Sequence, residues 1–155
     1  DDEKLHVDGQ NVSEEIRSTR VTECVKYAAG NTAVRKELAK QQSRIGTSVN
    51  NLVTEGRDQG TTVFPGAECK IFLTATAQVR AKRRWYDLQA RGEEVTLDEV
   101  LDSQNRRDAQ DSARKVGPLA RAEDAIEVYT DDMTQEQVLN HLAWVVESTR
   151  KSGAS

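Results

Sequence analysis

Cysteine and long apolar runs are scarce in this sequence, and their scarcity limits what the protein can be. The cysteines among its 155 residues are Cys24 and Cys69, too few for a disulfide framework and without a second ligand at metal-binding spacing. We therefore expect two free, buried thiols in a cytoplasmic protein without a metal site. No apolar stretch is long enough to span a bilayer, and the net charge of −4 argues against a nucleic-acid or membrane-surface binder.

Short apolar runs separated by helical patterns are what the sequence does contain. With 36% hydrophobic and 31% charged residues, the chain suits one domain with a single core. Buried strands are predicted at Leu52-Val53 and at Ile71-Phe72-Leu73, two runs bounded by Gly, Asn or Thr, and a third strand at residues 125–129. Because strands alternate with helices, we expect an α/β fold with a parallel sheet.

Residues 1–50 are predicted to form a small helical subdomain attached to that sheet. Asp8-Gly9 lies between alternating residues and predicts a hairpin. Two helices follow, separated by Gly30-Asn31, and Thr32 is the predicted cap of the second helix. Three apolar residues at helical spacing predict the buried stripe of that helix, namely Val34, Leu38 and Ile45.

Capping residues mark the helices of the second half. Thr76 is predicted to cap a helix that Gly92 ends, Thr96 and Glu99 match a capping box, and Thr134 is predicted to cap the last helix. The stretch before Lys115 is almost wholly polar. A helix with so little to bury must be stabilised by ion pairs or by a ligand, or be mobile.

Two groups of charged residues are candidates for ligand binding. Gly56-Arg57-Asp58 follows the first predicted strand, where ligands lie in open α/β sheets, and Arg57 offers a planar fork of donors suited to a phosphate. Arg107, Asp111 and Arg114 share one helix face and make a sensible nucleotide clamp. The residues alone leave the alternatives open: an Arg-Asp surface ion pair in a turn, and a solvated helix held by ion pairs.

An ordered set of motifs runs through the whole chain: GRDxGTxVFPxA, KIFLTA, RAxRR, RDxxDxxR, xPL and EDAI. In this order they closely resemble the bacterial cytidylate kinases. The resemblance implies a P-loop kinase-like parallel sheet flanked by helices. It also implies a helical CMP-binding subdomain over residues 1–50, core parts over 51–91 and 116–155, and a lid over 92–115. The implied activity is transfer of the γ-phosphoryl group of Mg-ATP to CMP or dCMP, which gives CDP or dCDP in pyrimidine metabolism.

The resemblance also implies a CMP site built from charged side chains. Asp58 matches the family's base-binding carboxylate and Arg35 its base-binding arginine, while Lys26 stands where relatives usually have a serine that touches the base. The residues implied for the rest of CMP are Arg57 and Arg114 on the phosphate and Arg107 and Asp111 on the ribose. The residues implied for catalysis, near the phosphates, are Arg83, Arg84 and Arg114.

The sequence departs from the family in one large respect, because it contains no G-x-x-x-x-G-K-[ST] loop. That loop cradles the ATP phosphates, and the central strand before it is missing as well. We therefore expect a fragment that carries the CMP-binding and lid portion and is inactive alone, with ATP and Mg²⁺ bound mainly by the missing segment. Exposed sheet edges would then allow oligomerisation. Gln110 replaces a lid arginine. The alternative is a degenerate, non-catalytic module that binds a nucleotide or a partner.

Overall fold

The computed structural model describes residues 4–152, with all their side chains except those of Arg17, Thr19, Thr22, Glu23, Lys26 and Ser152. Its strands are β1 (His6–Val7), β2 (Gln10–Asn11), β3 (Ile71–Thr74) and β4 (Ile126–Tyr129). Its helices are α1 (Thr19–Gly30), α2 (Thr32–Thr47), α3 (Ala77–Ala90), α4 (Leu97–Ser112) and α5 (Gln135–Ser152). A 3-10 turn covers Glu15–Arg17 and a π-type turn covers Gln59–Val63. Every helix in this described range is too short or too polar to cross a membrane.

The predicted parallel sheet is confirmed as a small one, formed by β3 and β4. Their register runs from Ile71 opposite Ile126 to Thr74 opposite Tyr129. Backbone hydrogen bonds of 2.9 Å beyond each end, from Ile126 N to Lys70 O and from Thr130 N to Thr74 O, continue the ladder. The chain is therefore a mixed α/β protein, as predicted, with helices around a two-stranded parallel sheet.

The hairpin at the start of the chain is also confirmed. Strands β1 and β2 pair antiparallel on either side of Asp8-Gly9. Both turn residues have positive φ, 51° for Asp8 and 81° for Gly9. This is the conformation that a two-residue hairpin turn requires and that an Asp-Gly pair adopts readily.

Helices α3 and α4 begin at the residues that the capping patterns predicted. The Thr76 hydroxyl accepts from Val79 N. At α4 the Thr96 hydroxyl accepts from Glu99 N at 3.2 Å, and the Glu99 carboxylate accepts from Thr96 N at 2.8 Å, which completes the capping box. The hydrogen bond from the Thr96 backbone, more than that from its side chain, lowers the pKa of Glu99.

A compact apolar cluster joins α3 to α4. Ala81, Leu88 and Val100 are its buried members, and Trp85 packs against them while its indole Nε1 donates to the backbone carbonyl of Val95 at 2.9 Å. Burial of Val100 fixes the first half of α4 on the face of α3. This packing determines where the polar second half of α4 lies.

The strand predicted at Leu52-Val53 is wrong. Residues 51–56 have no regular secondary structure, and Leu52 is 48% exposed and Val53 99% exposed. Two apolar residues bury little surface, and within residues 4–152 no strand runs beside them to satisfy their backbone groups. The apolar run was a correct signal for β3, where a partner strand is present.

Three predictions about the first half of the chain are corrected. The cap of α2 is Asn31 rather than Thr32, because the Asn31 side-chain oxygen accepts from the backbone N–H groups of Ala33 and Val34, at 2.9 and 3.2 Å. The predicted stripe of α2 is largely exposed rather than buried, since Val34 is 37%, Leu38 51% and Ile45 62% exposed. Cys24 is exposed and Cys69 half-buried, so neither thiol lies in a core.

Candidate functional site

Arg35 and Asp58, which lie 23 positions apart in the sequence, form an ion pair between α2 and the loop after residue 56. Asp58 is positioned by the π-type turn, whose first hydrogen bond runs from Thr62 N to Asp58 O at 2.9 Å. The two side chains are only 15% and 18% exposed. Water therefore screens their attraction weakly, and the pair forms one rigid unit.

Backbone carbonyls fix the orientation of Arg35. Its Nε donates to Val116 O at 2.7 Å and its Nη2 to Gly117 O at 3.0 Å. Gly117 has a φ of 59°, which turns its carbonyl toward the guanidinium. With Nη2 also bound to Asp58, the terminal nitrogen with the weakest partner is Nη1, 3.5 Å from Ala29 O. Nη1 is thus the part of Arg35 best placed to donate to a ligand.

A second group, the arginine–carboxylate cluster, lies where α4 meets α3 and the loop around residue 57. Its members are Arg57, Arg80, Arg107, Asp108, Asp111 and Arg114. Arg57 bridges the two carboxylates, with Nη1 3.0 Å from Asp108 Oδ1 and Nε 2.9 Å from Asp111 Oδ2. Four guanidiniums against two carboxylates leave an excess of positive charge, which favours an anionic ligand.

Asp111 is the most deeply buried charged residue in the described range, with 1% of its surface exposed. Arg114 pairs with its Oδ1, and the 70%-exposed Arg107 lies 3.9 Å from its Oδ2. Arg57 Nε is close enough to Oδ2 for an ion pair but not aligned with it, so this buried oxygen has no hydrogen-bond donor within residues 4–152. A buried acceptor without a donor is costly to the fold and is typical of a functional site.

Asp108 holds its charge because of two arginines. Burial raises its pKa, but the hydrogen bond and charge of Arg80, followed by those of Arg57, outweigh burial, and the pKa lies below its ordinary value. Asp108 is therefore ionised throughout the physiological range and can bind both arginines at once.

A cavity of about 420 Å³ connects the two groups. It lies between the start of α2 and the end of α4, and its size is within the range of small-molecule sites. The lining includes three cationic side chains and no carboxylate, and it consists of Gly30, Thr32, Arg35, Gln110, Ala113, Arg114, Lys115 and Val116. Arg35 from the first group and Arg114 from the second thus face one space suited to a small anion.

Of the predicted site residues, Arg35 and Arg114 line this cavity, whereas Arg57, Asp58, Arg107 and Asp111 are not part of its lining. Arg83 donates through Nη1 to the Thr130 hydroxyl at 2.9 Å and through Nη2 to the Thr130 carbonyl, at the end of β4. Arg84 is exposed and makes no ion pair with any residue of the described range. Lys26 belongs to α1, but its side chain lies outside the described residues. No group of three potential metal ligands occurs in residues 4–152.

Sequence reasoning missed Asp108, Arg80 and the carbonyls of Val116 and Gly117. Asp108 carried a usable signal, since it precedes Asp111 by three residues and therefore shares its helix face. Arg80 is the first residue of the RAxRR motif, but that motif does not indicate its contact with Asp108, which joins two helices whose packing the sequence does not specify. Backbone carbonyls carry no side-chain signature, and a Gly-Pro pair at 117–118 predicts only a turn.

Comparison with known proteins finds one family over nearly the whole chain. The family model described as cytidylate kinase matches residues 1–148. The chain is 43% identical to a cytidylate kinase of Rhodopirellula baltica over 154 residues, which are 99% of this chain and 67% of that protein. It is 43% identical to a cytidylate kinase of Bacillus pumilus, covering 88% of this chain and 60% of the relative.

A bifunctional pantoate ligase/cytidylate kinase of a Synechococcus species is 48% identical over 89% of this chain. The match spans 28% of that longer protein. The chain thus covers about two thirds or less of the length of these curated relatives. Because the family model matches nearly all of its residues, the chain belongs to the cytidylate kinase family.

Proposed function

We propose that this chain provides the CMP-binding and lid portion of a cytidylate kinase, which transfers a phosphoryl group from ATP to CMP or dCMP. One observation carries the proposal: Arg35, which is paired with Asp58, lines the same cationic cavity as Arg114. The cavity thus combines a polar pair suited to a base with guanidinium groups suited to a phosphate. The relatives' name, cytidylate kinase, fits both halves of that site.

The proposed base recognition follows from the donors and acceptors that the pair leaves available. Cytosine presents an exocyclic amino donor and two acceptors on its pairing edge. Asp58 uses Oδ2 for Arg35, which leaves Oδ1 to accept from the amino group, while Arg35 Nη1 donates to a ring acceptor. Uracil has a carbonyl in place of the amino group. Its oxygen would face the carboxylate, so we expect UMP to bind more weakly.

The proposed phosphate and ribose contacts come from the arginine–carboxylate cluster. Arg57 and Arg114 each keep N–H groups that no residue in the described range accepts from, and these would donate to the phosphate. Arg107 and Asp111 would hold the ribose. Positioning and charge neutralisation supply most of the catalysis of phosphoryl transfer, so a site of arginines suits this reaction.

The proposed reaction also needs ATP and Mg²⁺, but the candidate site residues do not provide a site for either. The sequence contains no G-x-x-x-x-G-K-[ST] loop. The three carboxylates of the two groups, Asp58, Asp108 and Asp111, are already paired with arginines and do not fit a hard cation that needs free oxygen ligands. Arg83 and Arg84 are proposed near the transferred phosphoryl group on the basis of the family resemblance. A cytoplasmic location and self-association through exposed sheet edges also stay predictions.

We also propose a division of the chain into parts. Residues 92–115 would form the lid, 1–50 the CMP-binding part, and 51–91 with 116–155 the core. Val100 anchors the first half of α4 on α3. The polar second half carries Arg107 and Asp111, and Arg114 follows just after the helix ends at Ser112, so movement of this stretch would close guanidinium groups over a bound phosphate.

Calorimetric titration of CMP, dCMP and UMP tests the proposal. We expect CMP and dCMP to bind the chain roughly tenfold to a hundredfold more tightly than UMP, the effect of one hydrogen bond to a charged group. Asp58→Asn should remove this preference, whereas Asp87→Asn, on the exposed face of α3, should keep it. Equal affinity of the unsubstituted chain for UMP and CMP would contradict the proposed base pocket.

A further inference from the structure

Asp108 lies between two arginines that come from different elements. Its Oδ1 accepts from Nη1 of Arg57, in the loop after residue 56, and its Oδ2 accepts from Nη1 of Arg80, on α3. Arg80 is held in turn, because its Nε donates to Ala75 O at 3.1 Å, just beyond the end of β3. A continuous chain of hydrogen bonds therefore connects the parallel sheet to Arg57 through Asp108.

The contacts of Arg57 leave one end of its guanidinium unused. Nη1 is bound to Asp108 and Nε faces Asp111, while Nη2 has no acceptor among the described residues. The Arg57 side chain is 36% exposed and would otherwise sample many rotamers. Fixing two of its three nitrogens aims the third in one direction, which reduces the entropy that a ligand must remove on binding.

We propose that Asp108, anchored by Arg80, is the positioning residue that aims Arg57 at the phosphate of the bound nucleotide. This inference rests on the proposed function, since it needs Arg57 to contact that phosphate. It assigns a role to a carboxylate that binds no part of the nucleotide. Asp108 acts through Arg57, and Arg80 acts through Asp108.

The direction in which one substitution changes phosphate binding distinguishes a positioning role from a purely electrostatic effect. Asp108→Asn removes a negative charge close to the phosphate site, and on Coulomb grounds alone phosphate binding should become tighter. The asparagine has one acceptor oxygen, which can accept from only one of the two arginines in this arrangement. Its NH₂ group then faces the second arginine and cannot accept from it. If Asp108 positions Arg57, the same substitution makes phosphate binding weaker.

The test measures CMP and cytidine binding to the full chain by calorimetry or by NMR titration. We expect Asp108→Asn to weaken CMP binding about tenfold or more, with less than about a twofold change for cytidine, which lacks the phosphate. Asp102→Asn is the matched control, since Asp102 is exposed on the same helix and lies outside the arginine–carboxylate cluster. It should bind CMP as the unsubstituted chain does, or slightly more tightly.

Arg80→Lys provides a second variant that leaves the net charge unchanged. A lysine ammonium cannot reach Ala75 O and Asp108 with the fixed fork of a guanidinium, so CMP binding should again weaken while cytidine binding does not. The inference is overturned if Asp108→Asn binds CMP as tightly as the unsubstituted chain or more tightly, or if CMP and cytidine weaken equally. Failure of the unsubstituted chain to bind CMP would instead contradict the proposed function. If Asp108→Asn does not fold, Arg80→Lys decides by the same criterion.

Discussion

Replacing Asp111 with asparagine should destabilise the chain and make its stability depend on salt. The asparagine keeps the shape and one oxygen, but it removes the negative charge that forms ion pairs with Arg57 and Arg114. Breaking a fully buried ion pair costs about 3–5 kcal/mol. Here Arg57 is 36% and Arg114 23% exposed, and both can turn toward water. We therefore expect the lower cost of one charge-assisted hydrogen bond, about 1.5–3 kcal/mol.

Urea denaturation followed by circular dichroism measures this cost. With a slope of about 1–3 kcal/mol per molar urea, the midpoint should fall by about 1 M. The substitution also leaves four guanidiniums against the single carboxylate of Asp108, so raising salt from about 0.05 to 0.5 M should restore part of the loss by screening their repulsion. Asp102→Asn, exposed on the same helix, should leave the midpoint unchanged. Equal midpoints for the two variants would refute the reasoning, because Asp111 would then stabilise nothing.

Two further predictions concern the core and acid stability. Leu88→Ala leaves a cavity in the cluster between α3 and α4 and should lower the free energy of unfolding by about 2–5 kcal/mol. Leu139 is 67% exposed, so Leu139→Ala should change that free energy little. Similar urea midpoints for the two variants would show that this cluster is not the core. Asp108 has a folded-state pKa below its ordinary value of 3.8, so its stabilisation is complete above that value and is lost as the pH falls through the lowered pKa. Unfolding measured at about pH 6 and about pH 3 should therefore show a larger acid loss for the unsubstituted chain than for Asp108→Asn, and parallel losses would contradict the ion pairs.

Local signals predicted the elements whose stability is local. The Asp-Gly turn and the Thr96–Glu99 capping box each depend on residues within four positions, and both form as the sequence indicates. Leu52-Val53 failed for the opposite reason, because a strand exists only where a partner lies beside it. The stripe on α2 failed likewise, since helical spacing shows which residues share a face but not whether anything covers that face.

The residues of the candidate site likewise divide into those that the sequence predicted and one whose role depends on long-range packing. Spacing alone placed Asp111 and Arg114 on one face, and the family resemblance supplied Arg35 and Asp58, which lie 23 positions apart. Neither source assigned a role to Arg80, because that role depends on how α3 packs against α4. Long-range contacts of this kind arise only when the apolar cluster around Val100 has formed.

The pairing of each arginine with a carboxylate has a physical purpose in a phosphate site. An isolated guanidinium at a half-buried position would lose hydration, and several together would repel one another, so unpaired arginines would open the site. A carboxylate that takes some of the N–H groups stabilises the arginine and leaves the others aimed outward, as at Nη1 of Arg35 and Nη2 of Arg57. Because Asp58, Asp108 and Asp111 together do not balance all the arginines, the cavity keeps a positive potential. The carboxylates therefore organise the arginines without cancelling the attraction for a phosphate.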